Sequence, residues 1–168
     1  MIIFDLDGTL ADCEHRRHFV DINKNLIYRE DDNNVDIRLG WKPDWKAFYE
    51  ACDQDKPIEP TVTLITSMYG YDYYDNQEDV HIWSGRCESV RKKTEIWLNK
   101  HSIVYQELKM RPIGDSTPDD QLKEKWLDEA LSQGKKIDFT IDDRSKVVRM
   151  WRRRGIFVFD VNQTGKEF

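Results

Sequence analysis

The sequence predicts an α/β fold in which helices cover both faces of an open, mostly parallel sheet. Two observations carry this expectation. Five short segments dense in Ile, Val, Phe and Trp recur along the chain, the composition of strands buried on both faces. Helical patterns with start and stop signals separate the last four of them, and strands alternating with helices require parallel crossovers. The chain has 168 residues, the size of one ordinary domain and enough to bury a core without disulfides or structural metal.

The first strand is expected over residues 2–5, Ile-Ile-Phe-Asp, directly after Met1. The stretch from 12 to about 79 is too long for a simple crossover. It contains a polar tract over 21–34 rich in Asp and Asn, and a short helix over 44–52 with Trp45, Phe48 and Tyr49 on one face. A second helix follows Pro60 through Val62, Ile65 and Met68. Part of this stretch is expected to stand over the sheet as a flap or small cap. The reading is thus a single domain, 1–168, with an insertion at roughly 12–79. The second strand covers 80–84, and a helix over 86–100 places Val90, Trp97 and Leu98 at helical spacing. A third strand spans 103–108. The next helix opens at Ser116-Thr117-Pro118-Asp119-Asp120, where hydroxyl, proline and early acids are start signals. It passes through Leu122, Trp126, Leu127 and Leu131 and stops at Gly134. The fourth strand covers 137–141. The last helix, 144–154, turns Val147, Val148 and Trp151 inward, with Gly155 as its stop, and 156–161 forms the final strand.

Charged residues make up 35% of the chain and the net charge is -6, with a sequence pI of about 5.3. A generally cationic nucleic-acid coat is excluded, so a polyanion must bind at a local basic site. Cys13, Cys52 and Cys87 are odd in number and form no C-x-x-C pair, which offers neither a disulfide framework nor a zinc knuckle and fits a reducing, cytoplasmic setting. No apolar run approaches the roughly 18 residues of a membrane span, and no basic segment followed by an apolar core stands at the N-terminus.

In an open α/β sheet, ligands bind beyond the carboxyl ends of the strands. The first strand ends in Asp5-Leu6-Asp7-Gly8-Thr9. Two carboxylates one residue apart can share a metal or a phosphoryl group, and like charges that close are costly without a cation between them. The bland alternative is a solvated D-G turn. The second strand ends in Ser84-Gly85-Arg86, where a hydroxyl and the backbone donors of a turn at a helix N-terminus form a phosphate cradle. Lys123 sits early in a helix, where a lone lysine is ordinarily just solvated. The fourth strand ends in Asp142-Asp143, an acid pair that helix capping alone would explain.

Together these four motifs, in chain order and at strand ends, resemble the haloacid dehalogenase (HAD) superfamily. The resemblance implies a Rossmann-like HAD core and a specific division of labour. Asp5 is the nucleophile that forms an aspartyl-phosphate. Asp7 is the general acid and base. Ser84 and Lys123 hold the transferring phosphoryl oxygens. Mg²⁺ is bound by the Asp5 carboxylate, the Asp7 backbone carbonyl and the Asp142/Asp143 pair. Dehalogenase branches lack the acid at position 7, so Asp7 favours phosphate-ester hydrolysis.

A closer resemblance lies in residues 4–11, in Met110-Arg111-Pro112 with Gly114-Asp115, and in residues 141–153. These stretches are similar to the 3′-phosphatase domain of phage polynucleotide kinases. The resemblance implies substrate contacts from Thr9, Arg16, Gly85 and Arg86, guanidinium groups being suited to a terminal phosphate dianion, and from Arg111 in the loop before the lysine helix. Three departures stand out. No G-x-x-x-x-G-K-[ST] loop is present, so no ATP site and no kinase activity are expected. The segment between the first two motifs is longer than the family's, and Thr117 stands where the family often has a basic residue. The motifs favour a nucleic-acid end as substrate. The acidic insertion favours a small substrate, which keeps a 5′(3′)-nucleotidase acting on nucleoside monophosphates as the alternative. A HAD-fold binding module without turnover is the third reading, opposed by the intact set of Asp5, Asp7, Ser84, Lys123 and Asp142.

Other features have two readings each. Arg149, Arg152, Arg153 and Arg154 offer a nucleic-acid patch or a helix C-terminus complemented by cations. Trp41, Trp45 and Tyr49 offer a base-stacking surface or a pin that fixes the insertion to the core. Tyr69, Tyr71, Tyr73 and Tyr74 offer a binding platform or a loop packed on the sheet, and read as the loop; the four His have no metal-ligand spacing.

Overall fold

The apolar N-terminal run forms a strand, β1 (Ile2–Phe4), whose residues are all buried. Side chains alternate faces along a strand, and β1 divides accordingly: Ile2 and Phe4 enter one apolar cluster, Ile3 another. The sheet is therefore covered on both faces. The structure, a computed structural model, describes residues 1–22, 24, 26–30, 36–68, 79–163 and 165. The loop tyrosines Tyr69, Tyr71, Tyr73 and Tyr74 lie outside the described residues, as do the Trp41 side chain and much of the 21–34 tract.

After β1 come β2 (Ala11–Asp12), a 3-10 turn (Glu14–Phe19), β3 (Leu26–Glu30) and β4 (Asp36–Trp41). They are followed by α1 (Trp45–Glu50), a short 3-10 turn (Cys52–Gln54), β5 (Lys56–Pro57) and α2 (Glu59–Ser67). The second half alternates strictly: β6 (Val80–Cys87), α3 (Arg91–Lys100), β7 (Glu107–Arg111), α4 (Asp119–Ser132), β8 (Phe139–Asp142), α5 (Ser145–Arg153) and β9 (Val158–Asp160). The main sheet has the order β7-β6-β1-β8-β9, and every neighbouring pair in it is parallel. The chain builds outward from β1 through β6 and β7, then crosses back to add β8 and β9. The switch point where ligand crevices open in such sheets falls between β1 and β8.

One face of the sheet packs Phe4, Ile82 and Ile141 against Trp97 and Leu98 of α3 and against Val62 and Ile65 of α2. Part of the 12–79 insertion, α2 together with the buried Cys52, therefore belongs to the layer that flanks the sheet. The antiparallel pair β2–β5 joins the insertion to the end of the first motif, with Ala11 opposite Pro57. The other face centres on Trp83, Trp126 and Trp151, with ring centroids 5.9 Å apart from Trp83 to each of the others.

Two sequence expectations are corrected. The third strand is Glu107–Arg111 rather than 103–108. Ile103 is buried, but its N–H bonds to the Leu98 carbonyl and closes the end of α3, which uses up its apolar signal before the strand begins. The second strand runs on to Cys87, and α3 starts only at Arg91. Ser84, Gly85 and Arg86 therefore lie on the strand, with a register shift between Ser84 and Cys87, and form no helix N-terminal turn. The physical reason is the ladder to β7, which pairs Ser84 with Met110 and Cys87 with Arg111 and so keeps the segment in the sheet through a bulge. The polar 21–34 tract contains β3, paired antiparallel with β4. Among the described residues no helix is long and apolar enough to cross a membrane.

Candidate active site

β1 delivers the first acid. Phe4 pairs with Ile82 on one side and Ile141 on the other, so Asp5 emerges one residue later between the ends of β6 and β8, its N–H bonded to the Ile141 carbonyl at 2.9 Å. The chain then closes a tight loop in which the N–H groups of Leu10 and Ala11 both donate to the Leu6 carbonyl, at 2.9 and 2.8 Å. Gly8 takes a φ of 85° within it, a left-handed conformation that glycine adopts freely. A Cβ there would collide with the Asp143 carboxylate. The D-x-D-G string is thus shaped by backbone conformation and by close approach to the second acid pair.

The site has two electrostatic halves. In the first, Lys123 is buried on α4 and its Nζ donates to Asp5 Oδ1 at 2.7 Å and to Asp142 Oδ2 at 2.8 Å. Carboxylate oxygens of Asp5, Asp142 and Asp143 all lie within 4.8 Å of one another. Burial pushes the Asp5 carboxyl up to about 6, against the opposing pull of Lys123, and Asp142 adds to the rise. Burial, reinforced by Asp5 and Asp142, pushes Asp143 up to about 8. Three crowded carboxylates with one ammonium between them are short of positive charge, and hard oxygen donors at this spacing fit a divalent cation such as Mg²⁺. Trp151 Nε1 donates to Asp142 Oδ2 at 3.4 Å, and Thr9 Oγ1 donates to Asp143 Oδ1 at 3.2 Å.

In the second half, Asp7 faces two arginines. Arg16 Nη2 donates to its Oδ1 at 2.6 Å and Arg86 Nε at 2.8 Å. Burial would raise the Asp7 carboxyl, but the Arg86 and Arg16 guanidiniums outweigh it and hold the group below the usual carboxylate range. Both arginines are fully buried. They are held from behind by Asp55, which accepts from Arg16 Nε and Nη2 at 2.7 Å each and also from Arg86 Nη2. Asp55 is fixed in turn through its own carbonyl, which accepts from Trp97 Nε1 at 2.7 Å. The Arg16 guanidinium also lies 4.2 Å from the Phe48 ring centroid.

The structure brings Asp5, Asp7, Lys123 and Asp143 onto one cavity of about 1110 Å³, together with Gly85 and Arg111. Thr9, Arg16, Ser84, Arg86 and Asp142 stand buried behind that surface, and the Ser84 hydroxyl accepts from the Arg86 N–H at 3.2 Å. Arg111 donates to the Gly85 carbonyl at 3.0 Å, to the Thr117 carbonyl at 2.5 Å and to Asp119, which also takes Arg144. Arg111 therefore braces the loop before α4 at the rim of the cavity. The arginine run of α5 is engaged elsewhere: Arg153 and Arg154 pair with Glu124, and Arg154 also with Asp128.

Sequence reasoning missed Asp55 and Asp119. Asp55 lies among the acids of the insertion, where only the tertiary fold separates a buried anchor from a solvated acid. Asp119 reads locally as a helix-start residue, although its proximity to Lys123 on α4 was a usable signal.

Known proteins resemble this chain in sequence and fold. A family model described as the polynucleotide kinase PNKP phosphatase domain matches residues 45–165. The chain is similar to a chain in the structure of a Pnkp1/Rnl/Hen1 complex, at 28% identity and a TM-score of 0.68 over 95% of this chain and 45% of that one. A second chain, from the Pnkp1/Rnl/Hen1 RNA repair complex, gives 27% identity and a TM-score of 0.66, covering 95% of this chain and 41% of that one. The chain thus spans less than half the length of these two relatives. A haloacid dehalogenase-like hydrolase from Streptococcus pneumoniae shares the fold at 12% identity and a TM-score of 0.56, over 95% of this chain and 82% of that one.

Proposed function

The chain belongs to the family of the polynucleotide kinase PNKP phosphatase domain and is a phosphatase of the HAD type, and from that premise we propose that it removes a terminal 3′-phosphate from a nucleotide or polynucleotide end. The observation that carries this reading is the pair of arginines, Arg16 and Arg86, buried behind the cavity wall and converging on Asp7, which lines the cavity. Two preorganised guanidiniums supply the donor fork that a terminal phosphate dianion needs. Residues 1–168 act in this reading as one phosphatase domain, with the 12–79 insertion contributing Arg16 and Asp55.

Asp5 attacks phosphorus as the bond to the leaving oxygen breaks, giving an aspartyl-phosphate. Once Arg16 and Arg86 turn from Asp7 to the incoming phosphate, its carboxyl is released from the two guanidiniums that hold it low and takes up the proton that it donates to the departing sugar oxygen. It then takes one from the water that attacks the phosphoenzyme, releasing inorganic phosphate and restoring Asp5. Lys123 holds Asp5 in line for attack. It also stabilises the phosphoryl oxygens, while Arg16 and Arg86 exchange Asp7 for the incoming phosphate and Ser84, whose hydroxyl accepts from the Arg86 N–H behind the cavity, positions Arg86. Mg²⁺, bound by Asp5, Asp142 and Asp143 with the Asp7 carbonyl, would offset the repulsion between carboxylate and phosphate.

The test compares phosphate release from a 3′-phosphorylated oligonucleotide, a 3′-nucleotide and a 5′-nucleotide. The proposal expects turnover of the 3′-phosphates. Substantial turnover of the 5′-nucleotide alone would replace it with the nucleotidase reading.

A further inference from the structure

The cavity is far larger than a phosphate, and the wall contributed by α1 is aromatic. Trp45, Phe48 and Tyr49 line the same cavity as Asp5, Asp7 and Lys123. Phe48 is buried beneath the Arg16 guanidinium, so the arginine pair beside Asp7 and the aromatic wall meet through one side chain. Trp45 stands edge-on to Phe48, with centroids 5.7 Å apart and planes at 86°. It lies nearly parallel to Tyr49, 5.9 Å away at 27°, and Tyr49 donates its hydroxyl to the Gly85 carbonyl at 3.4 Å. Trp45 is thereby oriented by two neighbouring rings, and yet the residue is 40% exposed. A tryptophan needed only to pin the insertion would bury more of its ring, as Trp83, Trp97 and Trp151 do.

We propose that Trp45 is the stacking platform for a nucleobase of the substrate, that of the nucleoside bearing the scissile phosphate. An oriented, partly exposed indole beside a dianion site matches a ligand that carries a flat π-system a sugar's length from its phosphate. Stacking on a face that every base possesses gives affinity with little sequence preference. Trp45 is then the residue through which the enzyme distinguishes a nucleotide from a bare sugar phosphate. This inference rests on the nucleotide-end reading above.

The experiment measures kcat/KM for a 3′-phosphorylated oligonucleotide and for the same oligonucleotide ending in an abasic 3′-phosphate, with Mg²⁺ present. Wild type and the variants Trp45→Ala, Trp45→Leu and Trp45→Phe are compared. Leucine keeps apolar bulk without a π-face, and phenylalanine keeps the π-face, so the series separates stacking from folding. Wild type should prefer the base-bearing substrate. The alanine and leucine variants should reduce that preference by roughly 5- to 150-fold, the range expected for one base–aromatic stack, mostly through KM, and phenylalanine should keep most of it. Equal losses on both substrates, or no change in the preference, would overturn the platform. If wild type hydrolyses neither substrate but does hydrolyse a 5′-nucleotide, the parent reading fails and the platform for a 3′-nucleoside fails with it. Wild-type turnover of both oligonucleotides with an intact preference in Trp45→Leu sinks the platform alone.

Discussion

Asp55 and Arg16 form a two-point ion pair, 2.7 Å at each contact, with both side chains wholly excluded from solvent. Arg86 shares the same carboxylate, so one acid from the insertion presets two cations that come from different parts of the chain. Removing one member of a buried charge cluster leaves the others unpaired and costs about 3–5 kcal/mol. Asp55→Asn is expected to lower unfolding free energy by about that amount, seen as a drop in the denaturant midpoint. It should also cut kcat/KM at least about 100-fold. Wild-type stability and activity in this variant would show that the two arginines hold their places without it.

Asp5→Asn keeps the size of the side chain and removes the attacking oxygen's charge. It is expected to abolish phosphate release from every substrate while the protein stays folded by circular dichroism. Residual turnover within about tenfold of wild type would mean that no aspartyl-phosphate forms at this position.

Chelation should stop turnover, and added Mg²⁺ should restore it. A second readout is independent of catalysis: a cation that binds the folded acid cluster stabilises it by mass action. The thermal midpoint should rise with Mg²⁺ concentration in wild type and rise much less in Asp143→Asn. A midpoint indifferent to Mg²⁺ would remove Asp5, Asp142 and Asp143 as the binding site.

Gly8→Ala adds a methyl group at a φ of 85° where the Asp143 carboxylate already lies. The backbone alone costs about 1–2 kcal/mol in this region, and Asp143 must move. The expected result is a lower melting temperature together with a higher Mg²⁺ requirement. A variant with wild-type Mg²⁺ dependence would show that the position of Asp143 tolerates the shift.

Trp151 is wholly buried between the Trp83 ring and the Asp142 carboxylate. Trp151→Phe removes an indole N–H that donates to an anion and leaves a small void, a combined cost of about 2 kcal/mol. Guanidinium titration should show that loss with an unchanged slope, and a neutral result would mean that Asp142 finds its partner elsewhere.

Much of this was legible in the chain. Alternation of apolar segments with helical patterns identified the parallel sheet, and Asp5, Asp7, Lys123, Asp142 and Asp143 were singled out by a family resemblance of ordered motifs; the structure brings Asp5, Asp7, Lys123 and Asp143 onto one cavity, with Asp142 bonded to Lys123 behind it. Where one residue's local signal served a tertiary purpose, reading failed. Ile103 looks like strand and closes a helix; Ser84-Gly85-Arg86 looks like a turn and remains strand because β7 keeps pairing with it as far as Cys87.

The sequence by itself determined the fold class, since hydrophobic periodicity is a local property that topology maps onto space in only a few ways, and its ordered motifs pointed to the proposed site groups only through a family resemblance. Only the tertiary structure decided which acids are anchors and which are solvated, and which aromatic stays open. Asp55 and Asp53 are both acids of one short stretch, yet one is wholly buried under two arginines and the other is exposed. Burial and pairing depend on what distant segments bring to the same point, and no local pattern encodes that.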